Sequence, residues 1–263
     1  YYFNALKLFE QHGDDKGIAQ SFNNIGVVYK HQGDFKGAIY YHQKSLTIRR
    51  KLNDFKGIAD SYNNLGISYK YLHRKDEALK NLFASLEIFK KINVVKGISD
   101  VQNNIGGVYQ LAGEYDQALK YYTVALESRL KGQDKGAIAN GMSNLASLYT
   151  TIGKSALGKE YALKSLEISL EIGKLETIQF AYDALAKADS ALGNYKEALQ
   201  HYKKSIVYKD SLNNQETAKQ SIAYNLQYEF DKKYAADSIR TAGERKINAL
   251  KLQQGKWIRN YLI

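Results

Sequence analysis

Asn23-Asn24-Ile25-Gly26, Asn63-Asn64-Leu65-Gly66 and Asn103-Asn104-Ile105-Gly106 are copies of one tetrapeptide set forty residues apart, and Ser143-Asn144-Leu145-Ala146 is a degraded fourth. So strict a period marks a repeat array, in which each unit stacks only on its neighbours. At the same interval Tyr29, Tyr69, Tyr109 and Tyr149 recur, then Gly33, Gly113, Gly153 and Gly193, with His73 as the one substitution. Aromatics Phe35, Tyr115 and Tyr195 come next, then Ala38, Ala78, Ala118 and Ala198, then Leu46, Leu86, Leu126 and Leu166. Lys16-Gly17, Lys56-Gly57 and Lys96-Gly97 open the first three blocks, and Lys135-Gly136 stands one place early.

Each block reads as two amphipathic helices. Ile18, Phe22, Ile25 and Tyr29 fall at spacings of four, three and four, which puts them on one helical stripe. Glycine near position 33 ends that helix, because a left-handed residue is needed there and a Cβ resists it. Asp34, Glu114 or Asn194 then caps the second helix, Glu being the weakest of the three in that role. Ala38, Tyr41, Ser45 and Ile48 or Arg49 continue a helical period with Leu46 beside them, and the small residues at 38, 78, 118 and 198 allow close crossing. Neither helix hides its apolar stripe alone, so consecutive blocks must stack.

The combined pattern, N-L-G-x-x-Y-x-x-x-G-x-Y/F-x-x-A-L, resembles the tetratricopeptide repeat over residues 1–213. The block is six residues longer than the usual unit and is similar to the extended-helix subtype of kinesin light chains and bacterial regulators. The resemblance implies an all-α fold, a right-handed α-α superhelical solenoid with a long C-terminal helix. Its expected divisions are 1–14 (second helix of a truncated repeat), repeats at 15–54, 55–94, 95–134, 135–174 and 175–213, and a capping or linker helix at 214–263. Departures from the pattern are Gly158 where the packing alanine belongs, Ala184 and Asp189 at the Asn and Tyr positions of the fifth block, and the absence of proline.

Composition narrows the function classes. With no cysteine there is no disulfide framework, thiolate metal site or cysteine nucleophile. The histidines, His12, His31, His42, His73 and His201, lie in different blocks or helices with no metal-ligand spacing, and the glycines are helix stops rather than a phosphate loop. No catalytic residue, metal or cofactor is expected. The net charge of +11 is concentrated at the end, where residues 231–263 carry eight Lys or Arg against three Asp or Glu. The remaining lysines are scattered on exposed helix positions, so no nucleic-acid binding is expected of the repeats.

What remains is recognition of a protein or an extended peptide. The resemblance implies that first helices line the concave face. That face would hold Gln20, Asp60, Asp100 and Asn140; Asn23, Asn63 and Asn103; Asn24, Asn64, Asn104 and Asn144; then Lys30, Lys70 and Gln110 a turn further on. A carboxamide offers two donors and an acceptor, enough to hold a peptide backbone of any sequence. In peptide-binding relatives the second Asn has this role, carried here to Asn24, Asn64, Asn104 and Asn144. Asp60 and Asp100 would add a preference for basic groups. An alternative stays open: such an Asn can bond to the neighbouring repeat and serve stacking alone.

From Glu216 to Ile263 the repeat stops and the chain reads as a long polar helix ending in Trp257-Ile258-Arg259-Asn260-Tyr261-Leu262-Ile263. A three-four alternation runs through it, interrupted at Arg240, Gly243 and Gln254, so a coiled coil and a homodimer through this helix are expectations. The aromatic and basic ending suits a membrane interface just beyond the C-terminus. The whole resembles the sensor part of membrane-bound Bacteroidetes-type regulators, whose span leads to a histidine kinase module or a helix-turn-helix output. That implies a bacterial membrane-anchored protein with periplasmic repeats. Lys251, Lys256 and Arg259 argue for the cytoplasmic alternative. A soluble scaffold or adaptor, or an intracellular signalling-peptide receptor, are the competing readings.

Overall fold

The computed structural model describes residues 2–215 and the single positions Arg240 and Lys246. The expectations for the tail, from the coiled coil to the membrane-facing ending, lie outside the described residues. The repeats occupy one compact unit, Tyr2–Asn213.

Among the described residues every regular element is helical. α1 (Tyr2–His12) is followed by α2 (Asp15–His31), α3 (Phe35–Lys51), α4 (Phe55–Tyr71), α5 (Lys75–Lys91) and α6 (Val95–Leu111). Then come α7 (Tyr115–Gly132), α8 (Lys135–Thr151), α9 (Ser155–Ile172), α10 (Leu175–Ala191) and α11, described over 195–215. From α2 to α11 a helix starts every twenty residues, so the early Lys135-Gly136 does not shift the register.

The turns explain this regularity. Gly33, Gly113, Gly153 and Gly193 take φ of 79, 76, 81 and 80°, and His73 adopts 56° at the same point of the second repeat. The aspartates Asp14, Asp34, Asp54 and Asp134 accept from a backbone N–H three residues on at 2.9–3.0 Å and cap the helices they precede. Glu114 makes no such bond, as its weak capping character suggests.

Helices pair as α2/α3, α4/α5, α6/α7, α8/α9 and α10/α11 by close crossing. Ala38, Ala78 and Ala118 are fully buried, and the first helix brings Gly26 against the His42 ring, Gly66 against Ala78 and Leu82, and Gly106 against the Tyr122 ring. A Cβ on Gly66 would stand 3.1 Å from the Ala78 carbonyl oxygen and 2.5 Å from Leu82 Cγ. The fourth repeat exchanges the two residues: Ala146 lies on the first helix and Gly158 on the second, and a Cβ on Gly158 would meet the Ala146 carbonyl oxygen at 2.8 Å. The departure at 158 is thus the reciprocal of the one at 146.

Buried hydroxyls tie the layers. Ser45, Ser85 and Ser165 donate to the carbonyls of Ala19, Ala59 and Ala139, each at 2.8 Å. Around them run continuous apolar clusters, such as Leu82, Leu86, Phe89, Val101, Ile105 and Val108 across the second and third repeats. Burying each such side chain contributes about 1.5–3 kcal/mol. Tyr41, Tyr121 and Tyr161 serve packing: Tyr41 and Tyr121 stack on Tyr29 and Tyr109 at centroid distances of 5.1 and 5.7 Å, and Tyr161 packs tilted against Tyr149 at 5.3 Å.

Candidate functional site

First helices of successive repeats touch directly, α2 with α4, α4 with α6 and α8 with α10. They form a common inner face, and their polar positions line it. Asn23, Asn24, Asn63, Asn64, Asn103, Asn104 and Asn144 are all half-buried there, as are Lys30, Asp60, Lys70 and Asp100.

The asparagines form a ladder. Asn64 Nδ2 donates to Asn23 Oδ1 at 3.1 Å, Asn104 Nδ2 to Asn63 Oδ1 at 2.9 Å, and Asn144 Nδ2 to Asn103 Oδ1 at 2.9 Å. Asn24, at the start, accepts from Gln20 Nε2 at 3.0 Å. The rungs join side chain to side chain, not side chain to backbone. Each uses one donor of the second Asn and the oxygen of the first. One N–H and the oxygen of Asn64, Asn104 and Asn144 remain, with both N–H groups of Asn63 and Asn103.

Two arginines that the spacing did not single out as inner-face groups hold the ladder from below. Arg49 of α3 is almost fully buried and donates to the Gly57 carbonyl at 2.6 Å, to Ser61 Oγ at 3.2 Å and to Gln20 Oε1 at 3.1 Å. Arg129 of α7 donates to the Ala137 carbonyl at 3.1 Å, to Asn103 Oδ1 at 3.2 Å and to Asp100 Oδ1 at 3.0 Å. Their counterpart in the second repeat is Phe89, which packs where a Cβ on Gly97 would fall 2.6 Å from its ring. The legible signal was an arginine alternating with phenylalanine on the apolar stripe of a second helix.

These contacts change the expected charge preference. Asp100 is already neutralised by Arg129, so it is not a free acceptor for a basic ligand. Asp60 faces Arg49; burial pushes its carboxyl above the ordinary range, with Arg49 and Lys56 opposing. Lys30 and Lys70 have no ion pair among the described residues, and burial pushes both ammonium groups below the ordinary lysine range, with Lys30 adding to the effect on Lys70. Lys70 Nζ lies 4.7 Å from the centroid of the Tyr71 ring.

A polar cavity of about 370 Å³ opens where α4, α6, α8 and α10 converge. Asn103, Asn140, Ser143, Asn144 and Ser147 line it, with Lys70 at one side and Phe180, Asp183 and Lys187 of α10 at the other. It joins Lys70, Asn103 and Asn144 of the expected site. Asn140 Oδ1 is buried there without a hydrogen-bond partner. The α10 residues were beyond sequence reasoning, because the fifth repeat has lost the Asn signature.

In that fifth repeat Asp189 and His201 replace the Tyr–Tyr pair. Asp189 is fully buried and bonded by Lys159 Nζ at 2.6 Å, His201 Nδ1 at 2.9 Å and Asn194 Nδ2 at 3.4 Å. Burial by itself would raise its carboxyl, but the bonds from Lys159, His201 and Asn194 outweigh it and hold the group below the ordinary range.

The tetratricopeptide repeat family model matches residues 17–91, 57–131 and 97–171, which together span more than half of the chain. No curated protein sequence matches the chain. Among solved structures, BtubC (BKLC) from P. vanneervenii is similar at 16% identity and TM-score 0.65, over 81% of this chain and 89% of that one. A Rap protein complexed with Competence and Sporulation Factor gives 17% and 0.69, over 77% of this chain and 57% of that one. NprR in complex with its cognate peptide NprX gives 24% and 0.62, over 76% of this chain and 58% of that one. At these identities the likeness is one of fold.

Proposed function

We propose, for a chain that belongs to the tetratricopeptide repeat family, a non-catalytic role in which the inner face holds an extended protein or peptide segment. The observation that carries this reading is the cavity where Asn103, Asn140, Asn144, Ser143 and Ser147 converge, with carboxamide donors and acceptors left over after the ladder is made. Such groups can bond to the main chain of a ligand whatever its side chains, and the repeat spacing offers them in a row. The Rap protein complexed with Competence and Sporulation Factor and NprR in complex with its cognate peptide NprX, both similar to this chain in fold, support the same use here.

Within this reading the chain is the sensor region of a bacterial signalling protein whose output domain, a histidine kinase or a transcriptional regulator, lies elsewhere. Its anchoring in a membrane and a periplasmic location rest on the basic and aromatic ending of the sequence. An intracellular signalling-peptide receptor is the second reading, favoured by the NprR and Rap likeness. Sequencing the gene beyond Ile263 separates the two: about twenty consecutive apolar residues support the sensor, and a polar continuation sinks it.

Peptide binding itself is tested by selecting displayed random octapeptides on the folded chain. Ser147→Trp, which fills the cavity, should weaken the selected peptides at least about tenfold while the helical melting transition is kept. Enrichment no greater on the native chain than on Ser147→Trp would overturn the reading.

A further inference from the structure

The Lys-Gly pairs at 56–57 and 96–97 have their glycine in the packing: an added Cβ would stand 2.7 Å from Arg49 Cδ or 2.6 Å from the Phe89 ring. The lysines are outside it. Lys56, Lys96 and Lys135 are exposed in the first turns of α4, α6 and α8, and those turns hold no acidic residue. A helix N-terminus favours anions and disfavours cations. Helix stability therefore does not account for a lysine at this place.

The turns between one repeat and the next gather these lysines on one edge. Lys96 Nζ reaches Asp134 Oδ2 at 3.0 Å and Lys135 pairs with Glu171, so consecutive turns of that edge stand side by side. Residues 50–57, 90–97 and 130–137 carry eight Lys or Arg against two Asp, and all eight cations are exposed. Among them Lys51, Lys56, Lys90, Lys91 and Lys131 make no ion pair among the described residues. The opposite edge, built from the turns inside the repeats, is balanced: residues 30–37, 70–77 and 110–117 carry five charges of each sign. At 10–17 and 170–177 the acids outnumber the lysines, so the basic stretch is confined to three central turns.

Apolar side chains stand uncovered between the cations. Phe55 is 57% exposed, Val95 59% and Leu130 50%. Each is followed directly by a lysine, at 56, 96 and 131. This mixture suits the boundary of a lipid bilayer. A lysine keeps its ammonium among the headgroup phosphates while its stem and an apolar neighbour lie toward the acyl chains. A nucleic acid would leave Phe55, Val95 and Leu130 with nothing to bury, because its phosphates take up only the charge. The one arginine of the row, Arg50, has its guanidinium over the Tyr62 ring at 5.6 Å.

We propose that this edge rests on an anionic membrane surface, with the lysines of the three turns at the lipid phosphates and Phe55, Val95 and Leu130 in the interface. The attraction grows with each lysine near the surface and falls as salt is added. The contact uses none of the inner-face groups, so it stands apart from the peptide-binding reading.

The full chain is sedimented with sucrose-loaded vesicles of phosphatidylcholine, alone or with about 30% phosphatidylglycerol. Residues 231–263 are themselves basic, so variants of equal net charge are compared. Lys56→Gln with Lys91→Gln and Lys131→Gln should weaken binding to the anionic vesicles about tenfold. Lys36→Gln with Lys120→Gln and Lys196→Gln removes three exposed lysines elsewhere and should change it less than about twofold. Phe55→Ser with Val95→Ser should weaken it about fivefold. The chain has no cysteine, so an environment-sensitive dye attached through Val95→Cys reports this edge alone, and one attached through Leu111→Cys reports the opposite edge. With anionic vesicles the dye at 95 should shift to the blue and be quenched by nitroxide-labelled lipid, and the dye at 111 should do neither. Absence of binding to the anionic vesicles, an equal loss in the two lysine triples, or an unshifted dye at 95 would each overturn the inference. So would oligothymidylate or polyglutamate binding more tightly than the vesicles, lost in the first triple and indifferent to the serine pair, which would make the edge a nucleic-acid or acidic-protein surface.

Discussion

Asn104 Nδ2 donates to Asn63 Oδ1 at 2.9 Å, across the boundary between the second and third repeats. The same bond recurs between Asn64 and Asn23 and between Asn144 and Asn103. One position therefore serves two purposes: it fixes the angle of one repeat on the next, and it leaves polar groups facing the groove.

Replacing Asn104 by Ala leaves Asn63 Oδ1 without its partner in a half-buried place. The expected cost is about 1 kcal/mol of stability, and the pair Asn64→Ala with Asn104→Ala should cost about twice that. Urea unfolding measures it, and peptide binding should fall in the same variants. Stability lost with binding unchanged would assign the ladder to stacking alone.

Gly158→Ala places a Cβ 2.8 Å from the Ala146 carbonyl oxygen and 2.4 Å from Thr150 Oγ1. Overpacking of this kind costs about 1–3 kcal/mol. Adding Ala146→Gly restores the arrangement of the first three repeats and should recover at least half of the loss. A double variant no more stable than Gly158→Ala would show that the exchange is not reciprocal.

Asp189→Ala removes the acceptor shared by Lys159, His201 and Asn194, and should cost roughly 3 kcal/mol. The folded Asp189 carboxyl sits below its ordinary value, so its stabilisation is complete above the unfolded pKa and is lost as pH falls through the folded one. Asp189→Tyr with His201→Tyr rebuilds the pair seen at Tyr149 and Tyr161. The double variant should be more stable than the sum of its single changes predicts, as a double-mutant cycle by thermal melting will read.

His42 is fully buried with neither ring nitrogen hydrogen-bonded. Burial, then the charges of Lys30 and Arg49, push it down to about 4. The unfolded chain takes up this proton first, so the contribution of neutral His42 is complete above about pH 6.5 and is lost as pH falls toward 4. The loss amounts to about 3 kcal/mol at most. His42→Leu, the residue at the equivalent Leu82, should flatten the stability profile between those values. An unchanged profile would place the titration elsewhere.

The repeat was legible because its causes are local. A glycine at 33, 113, 153 or 193 is demanded by a left-handed turn only a few bonds away, and the Ile18 to Tyr29 stripe is a matter of helical period. The fate of a polar side chain on the inner face was not. Asp100 looked like a free carboxylate until Arg129, twenty-nine residues on, proved to reach it. The Asn pair looked equally suited to a ligand and to stacking, and each rung turned out to join residues forty-one apart.

The amino-acid sequence by itself determined the helix pairs, their twenty-residue rhythm and the repeat family, since capping, turn conformation and amphipathic period act within one helix or its immediate neighbour. Only the tertiary structure decided which inner-face groups are spent. Hydrogen bonds and ion pairs between repeats depend on how two helices are rotated and offset, and these are set by packing such as Gly66 on Ala78. That packing engages Asp100 and ties the asparagines into a ladder. It leaves Lys70 half-buried with no ion pair among the described residues.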